Sequence, residues 1–396
     1  MKKIISLLTL LAYGAIAFAQ EPASSLQTEK QLADLDSVFI ELYNNEEYVK
    51  ASNTLDQALE IIKTTRGEAD SSYIDNLVLQ SRCYYKARRL AKAIDTVKRA
   101  IELYGNHISK EDRSYAVLHD NLSVFQSANG ENKEALENGL LALAAFERLG
   151  INDNDMAYVL SHVAEYYYNN GKHPQAITTE LRALNIIRSY HGERSQEYID
   201  ELNWLKRYYE SNEEQKKADD LQERIDKLTE EVEAGYIDMP DENITFETVE
   251  DCNKYTREAL RCCKYLFGHY MTAPQMIQAA NVITKWSMTT DQVHIGLGEA
   301  EEKLAEASGF YISLYVAGCS EYALEEEKPD FSIEMYRYAY YRIIEWYAAN
   351  REKDIIKENS FIEKLIKAAK KDKLNEVLDK QYPTPTDEKQ KIEYKF

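Results

Sequence analysis

The sequence predicts an all-α fold with a repeating first half and a C-terminal helical domain, and three observations carry that expectation. Gly and Pro are scarce, at 14 and 7 of 396 residues, and only Pro174 stands between Pro22 and Pro240, so the residues that interrupt helices are missing over long stretches. Small residues recur in one register, with Ala51, Ala93, Ala135, Ala176 and Ala218 separated by 42, 42, 41 and 42 positions. Apolar residues keep helical spacing, as in Ala218, Leu221, Ile225, Leu228 and Val232, the 3-4-3-4 signature of a helix face.

Residues 1–19 read as a secretory leader. Lys2 and Lys3 form a basic start, Ile4 to Ile16 is a mostly apolar run, and Ala17-Phe18-Ala19 has the A-x-A pattern of a cleavage site. Cleavage after Ala19 begins the mature chain at Gln20, and loss of the two lysines takes the charge from −20 to −22. The first cysteine is Cys83, far from that end, so a lipid anchor is not expected. No later run reaches the roughly 18 apolar residues of a membrane span. The expectation is an exported protein, periplasmic or secreted.

The charge balance, 68 Asp+Glu against 48 Lys+Arg, disfavours nucleic acid, whose phosphates are held by clustered Lys and Arg. The five cysteines, Cys83, Cys252, Cys262, Cys263 and Cys319, are odd in number and contain no C-x-x-C. Adjacent Cys262 and Cys263 point about 100° apart on a helix, which does not suit a zinc pair. Buried helical thiols are the expectation, with one disulfide among the four C-terminal cysteines as the alternative.

After a lead at 20–30, residues 31–234 repeat about five times. Seven positions beyond the first alanines come Ala58, Ala100, Ala142, Ala183 and Ile225, on the same helix face two turns on. Twelve positions before them stand Ser81, Ser123 and Ala164, followed three residues later by Tyr84, Gln126 and Tyr167, with Tyr209 continuing that last column. Gly130 and Gly171 fall between the two helices of their pairs, where a tight turn asks for positive φ. These columns resemble the core positions of the tetratricopeptide repeat, and the 42-residue spacing is similar to its kinesin-light-chain-like variety. The resemblance covers half the chain and implies antiparallel helix pairs stacked into a superhelix. It departs from the pattern where the Trp column reads Leu77, His119, Leu160 and Leu202.

The helix carrying Ala218 to Val232 spans about two heptads and ends near Gly235. A helix capping the last repeat is expected, although the seam leaves room for a homodimer. Residues 235–243, with Pro240, Asp241 and Glu242, read as a linker. Residues 244–382 read as a C-terminal helical domain of unknown function, with helices near 246–267, 274–287, 298–326, 331–352 and 358–380. Asp330, and Thr272 or Ala273 before Pro274, are the expected N-caps. Phe310, Leu314, Tyr315, Cys319, Tyr336, Tyr340, Ile343, Ile344 and Tyr347 form aromatic helical stripes that suit a core. Residues 383–396 read as a loose tail.

Motifs that would carry chemistry are absent from the sequence. There is no H-E-x-x-H, G-x-S-x-G or Walker loop, and Gly296-Leu297-Gly298 is a lone G-x-G. The seven histidines are scattered, so no metal, cofactor or catalytic residue is expected. What the repeats offer is a surface, a concave groove lined by the first helix of each pair. Register places Arg82, Tyr85, Lys86, Asp120, Tyr158, Glu165, Tyr168, Asn169, Asn203 and Arg207 on that face. Such a mixture suits recognition, with aromatics supplying area and amides contacting a backbone. The expected function is an exported, non-enzymatic interaction scaffold that binds a protein or peptide segment. The alternative makes the C-terminal helices a ligand-binding or catalytic pocket targeted by the repeats, which requires Tyr, Cys and His to converge there.

Overall fold

The computed structural model describes residues 23–382, with side chains from residue 27. The leader 1–19, residues 20–22 of the lead and the tail 383–396 lie outside them. The described residues hold eighteen helices and no strand, in the helix-pair arrangement expected of a tetratricopeptide-like solenoid. They fall into two compact units, the described part of Met1–Asn152 with His162–Lys172, and Asp153–Ser161 with the described part of His173–Phe396.

The first unit contains α1 (Ala23–Asn44), α2 (Tyr48–Thr65), α3 (Ser71–Lys86), α4 (Leu90–His107), α5 (Arg113–Ala128), α6 (Asn132–Arg148) and the C-terminal half of α7 (Asn154–Asn169). Its small-residue columns are its core: Ala51, Ala93, Ala100, Ala135, Ala142, Ser81 and Ser123 are fully buried. Small side chains let helix axes approach closely, and Gly139 shows how closely, since a Cβ there would stand 2.9 Å from the Tyr166 ring.

Two further columns set the ends of the helices. First helices begin at side-chain caps: Asp70 accepts from the Ser72 amide at 2.9 Å, Asp112 from Tyr115 at 2.9 Å, Asp153 from Met156 at 3.2 Å and Ser195 from Tyr198 at 3.3 Å. Each pair then turns on one residue in the left-handed region, with φ +60° at Glu46, +59° at Arg88, +82° at Gly130, +69° at Gly171 and +61° at Glu213. The following amide reaches back five residues, as from Arg89 to the Tyr84 carbonyl (2.8 Å) and from Glu131 to that of Gln126 (2.9 Å), closing a Schellman turn. The glycines at 130 and 171 thus meet the expected need, while the other three turns adopt the same conformation without glycine.

The second unit begins with the N-terminal half of α7, followed by α8 (His173–His191), α9 (Gln196–Ser211) and α10 (Gln215–Glu233). Helix α10 packs along α9 through buried Ala218, Ile225 and Leu228 and stops at Gly235, φ +85°, as a capping helix should. Residues 235–248 carry no helix. Arg194 holds this segment to the repeats, donating to Glu231 and Asp238 at 2.6 Å each, and Tyr265 donates to the Gly235 carbonyl at 2.7 Å.

The remaining helices are α11 (Val249–Asn253), α12 (Thr256–Gly268), α13 (Met276–Thr289), α14 (Glu299–Ala307), α15 (Gly309–Glu325), α16 (Ile333–Glu352), α17 (Ser360–Ala369) and α18 (Leu374–Asp379). Three expected helices are each broken in two. The span 298–326 divides at Ser308, whose extended backbone (ψ 137°) ends α14 while its side chain caps α15; 358–380 divides around Asp372, φ +55°; and 246–267 divides at Lys254 and Tyr255. Two expected caps also move. Ser332, not Asp330, accepts the Met335 amide at 3.2 Å, and α13 starts at Met276, past Pro274, with Gln275 turned to accept from the Ile237 amide at 2.7 Å. The aromatic stripes form one core with Tyr315, Tyr336, Tyr340 and Tyr347 fully buried. All five cysteines are buried free thiols, so the disulfide alternative is not formed. Burial pushes Cys252 up to about 11 and Cys262 to about 12, far from the reactive thiolate range.

Candidate binding surface

The first helices α3, α5, α7 and α9 are each capped by a side chain at the start and followed by a left-handed turn at the end. In the first unit, Tyr85 of α3 is half-buried and stacks on Phe125 of α5, with centroids 4.9 Å apart and planes at 24°. Lys86, one position on, is exposed. Arg82 is mostly withdrawn from water, and that burial lowers its guanidinium from its usual value, which makes it as much a packing residue as a surface one. Asp120 of α5 pairs with Nδ1 of His162 at 3.0 Å. Tyr168 is half-buried, Asn169 is exposed, and Glu165 accepts from the Asn169 amide at 3.5 Å.

In the second unit, Tyr158 remains 38% exposed in the N-terminal half of α7. On α9, Asn203 and Arg207 are both exposed; Asn203 donates to the Ile199 carbonyl at 2.9 Å, and the Arg207 guanidinium lies 4.4 Å over the Trp204 ring. Several expected contact groups are therefore oriented by neighbours, which reduces the side-chain entropy that a partner's binding would otherwise remove.

Register reasoning missed the residues that do this orienting, Phe125, His162 and Trp204, and also the buried Ser123–Tyr166 hydroxyl pair at 3.0 Å. A signal was present. His162 lies 42 positions beyond Asp120 and Tyr166 lies 43 beyond Ser123, so one repeat length, added to a polar residue on a first helix, finds its partner on the next.

The C-terminal helices enclose a small cleft of about 220 Å³, lined by residues including Phe267, His269, Tyr270, Arg342, Glu345 and Trp346. Its Arg342 is already engaged, donating to the buried Glu321 carboxylate at 2.9 and 3.2 Å and stacking 4.5 Å from the Phe267 ring. The cysteines and most of the tyrosines pack into the core instead. Among the described residues no cluster of three His, Cys, Asp or Glu side chains could hold a metal, and no helix is long and apolar enough to cross a membrane.

No family model matches the sequence. Among solved structures, the chain is similar to nearly identical TPR-like repeats from Podosopora anserina, at 17% identity and TM-score 0.47 over 51% of this chain and 96% of that one. It is likewise similar to BtubC from P. vanneervenii, at 17% identity and TM-score 0.46 over 57% of this chain and 98% of that one. The apo form of RapI aligns at 14% identity and TM-score 0.45, over 75% of this chain and 99% of that one.

Proposed function

We propose that this chain is an exported, non-enzymatic interaction scaffold whose first-helix faces bind a segment of a partner protein. The observation that supports this reading is the exposed or half-exposed Tyr, Lys, Asn and Arg side chains carried on the capped first helices α3, α7 and α9. Rigid presentation of such groups favours affinity for an extended or helical segment. Export rests on the leader at 1–19. The alternative, a pocket in the C-terminal helices, has less support, because only His269 and Tyr270, and no cysteine, line the cleft there beside an arginine, and that arginine is neutralised by Glu321.

The test is an affinity capture of the tagged mature chain from envelope and culture fractions, run beside a variant carrying Tyr168→Ala and Arg207→Ala. A defined protein retained by the wild type and lost by the variant is expected. Identical partner sets would remove the first-helix faces as the site. Mass spectrometry of the exported product is expected to find Gln20 at its N-terminus, and an intact residue 1 would overturn the leader.

A further inference from the structure

A second surface lies on the other side of α9. An open cleft of about 460 Å³ is bounded by α8, α9 and α10. Its floor and walls present Leu181, Leu184, Leu202, Leu205 and Leu221, and its edge carries Arg188, Lys217 and Arg224 with Asp220 in the lining and Glu193 and Glu214 beside them. Leu181 is 47% exposed, an apolar side chain left in water at the lip.

The repeat register shows that this composition differs from two of the equivalent places earlier in the chain. Moving back 83 positions, the span from Ala176 to Ala93, puts His119 where Leu202 stands, Asn138 where Leu221 stands and Glu134 where Lys217 stands. There the walls are tied by hydrogen bonds, His119 to Asn138 at 3.0 Å and Asn138 to Gln126 at 2.9 Å. Moving back 125 positions puts Asp56 at Leu181 and Gln80 at Leu205, and those two are hydrogen-bonded at 2.6 Å. Polar bridges tie these two equivalent places, whereas leucines line the cleft bounded by α8, α9 and α10.

The edge adds charge selectivity. Arg224 and Arg188 share one carboxylate, Glu193, at 3.0 and 3.7 Å, and Lys217 pairs with Glu214 while lying 5.1 Å over the Tyr209 ring. Two guanidiniums on one carboxylate can accept a second in a chain whose net charge is −20. The lining runs over eight residues, seven helical steps, along both walls, from 181 to 188 and from 217 to 224, which is two helical turns or about 10 Å. That length fits apolar anchors at i, i+3 and i+7.

We infer that this cleft docks an amphipathic helix of another protein, one that presents leucine-type side chains flanked by carboxylates. This surface is separate from the one proposed above: on α9, Asn203 and Arg207 stand on the face turned away from Leu202 and Leu205, so either can fail without the other.

The test uses the full mature chain and two synthetic helical peptides, each with leucines at i, i+3 and i+7, one flanked by glutamates and the other by lysines, with binding followed by fluorescence anisotropy. Saturable binding of the glutamate peptide is expected, at least tenfold tighter than that of the lysine peptide and weakening as salt rises. Leu181→Asp, at an exposed position, is expected to reduce that binding at least tenfold, with Arg188→Glu as a second variant that leaves the leucine floor intact. Absence of saturable binding, equal binding of both peptides, or unchanged binding by both variants would overturn the inference. Sedimentation of the chain alone adds one more outcome: self-association abolished by Leu181→Asp would give the cleft to a second copy and overturn it as well.

Discussion

The Tyr340 phenol donates to the Glu301 carboxylate at 2.6 Å, with both side chains inside the C-terminal core. A carboxylate withdrawn from water needs donors, and a further one is the Gly298 amide at 2.8 Å, which also fixes the start of α14. Burial still raises the Glu301 carboxyl above its usual range, against the pull of Tyr340 and Gly298. Tyr340→Phe keeps the ring and removes the donor, so a loss of ~1–3 kcal/mol in unfolding free energy is expected. Urea unfolding of the two proteins checks this, and an unchanged midpoint would mean that Glu301 does not depend on the phenol.

Glu180 supplies a pH dependence. Its carboxyl is fully buried in α8, and burial first, then the Glu201 carboxylate, raises it well above the usual value. The folded chain therefore holds a proton that the unfolded chain releases near 4.5, the ordinary value. Stability from this group is greatest below that value and falls as pH rises from there towards the raised folded one. Glu180→Gln is expected to flatten that fall, adding ~1–3 kcal/mol at pH 8 with little change at pH 4. Parallel thermal melts at the two pH values decide it; equal shifts at both would remove the proton linkage.

The turn column predicts opposite effects at equivalent places. Gly130 (φ +82°) has nothing within 4 Å of a would-be Cβ, so Gly130→Ala is expected to cost ~1–2 kcal/mol through backbone strain alone. Arg88 already bears that strain at φ +59°. Arg88→Gly relieves it while giving the unfolded chain more freedom, so a net gain below ~1 kcal/mol is expected. A neutral Gly130→Ala in chemical denaturation would contradict the left-handed turn.

Gly318 of α15 is a contact glycine of another kind. A Cβ added there would lie 2.6 Å from the Ala339 Cα on α16, and backbone cannot move aside as a flexible side chain does. Gly318→Ala is expected to destabilise by ~1–3 kcal/mol or more. Gly268→Ala, with open space around it, is the control and should be within ~1 kcal/mol of wild type. Similar thermal shifts for the two would show that α15 and α16 do not meet at Gly318.

Much of the repeat half was legible in the sequence, because its stabilising contacts recur every 41 or 42 residues. The alanine columns predicted the buried seams, and Gly130 and Gly171 pointed to their turns. The cap column Asp70, Asp112, Asp153 and Ser195 is equally periodic, whereas Glu46, Arg88 and Glu213 take a glycine's conformation without its sequence signal. In the C-terminal half the reading was coarser. Ser308 and Ser332 look like ordinary helix and loop serines until the backbone turns at them, and no repeat exists there to average over. On the binding face, exposed positions were inferable from register, but the stacking of Tyr85 on Phe125 and the pairing of Asp120 with His162 join residues 40 to 42 positions apart.

The sequence by itself determined that the chain is helical, that its first half is built of paired helices at a 42-residue period, and which small residues lie in the seams. Those properties follow from local conformational preference and from contacts between neighbouring repeats, both of which leave a period. Only the tertiary structure decided where the C-terminal helices break, that Tyr340 meets Glu301 and Gly318 meets Ala339, and that five leucines on three helices enclose an open cleft. These depend on which faces meet in space, and a meeting that occurs once leaves no period to read.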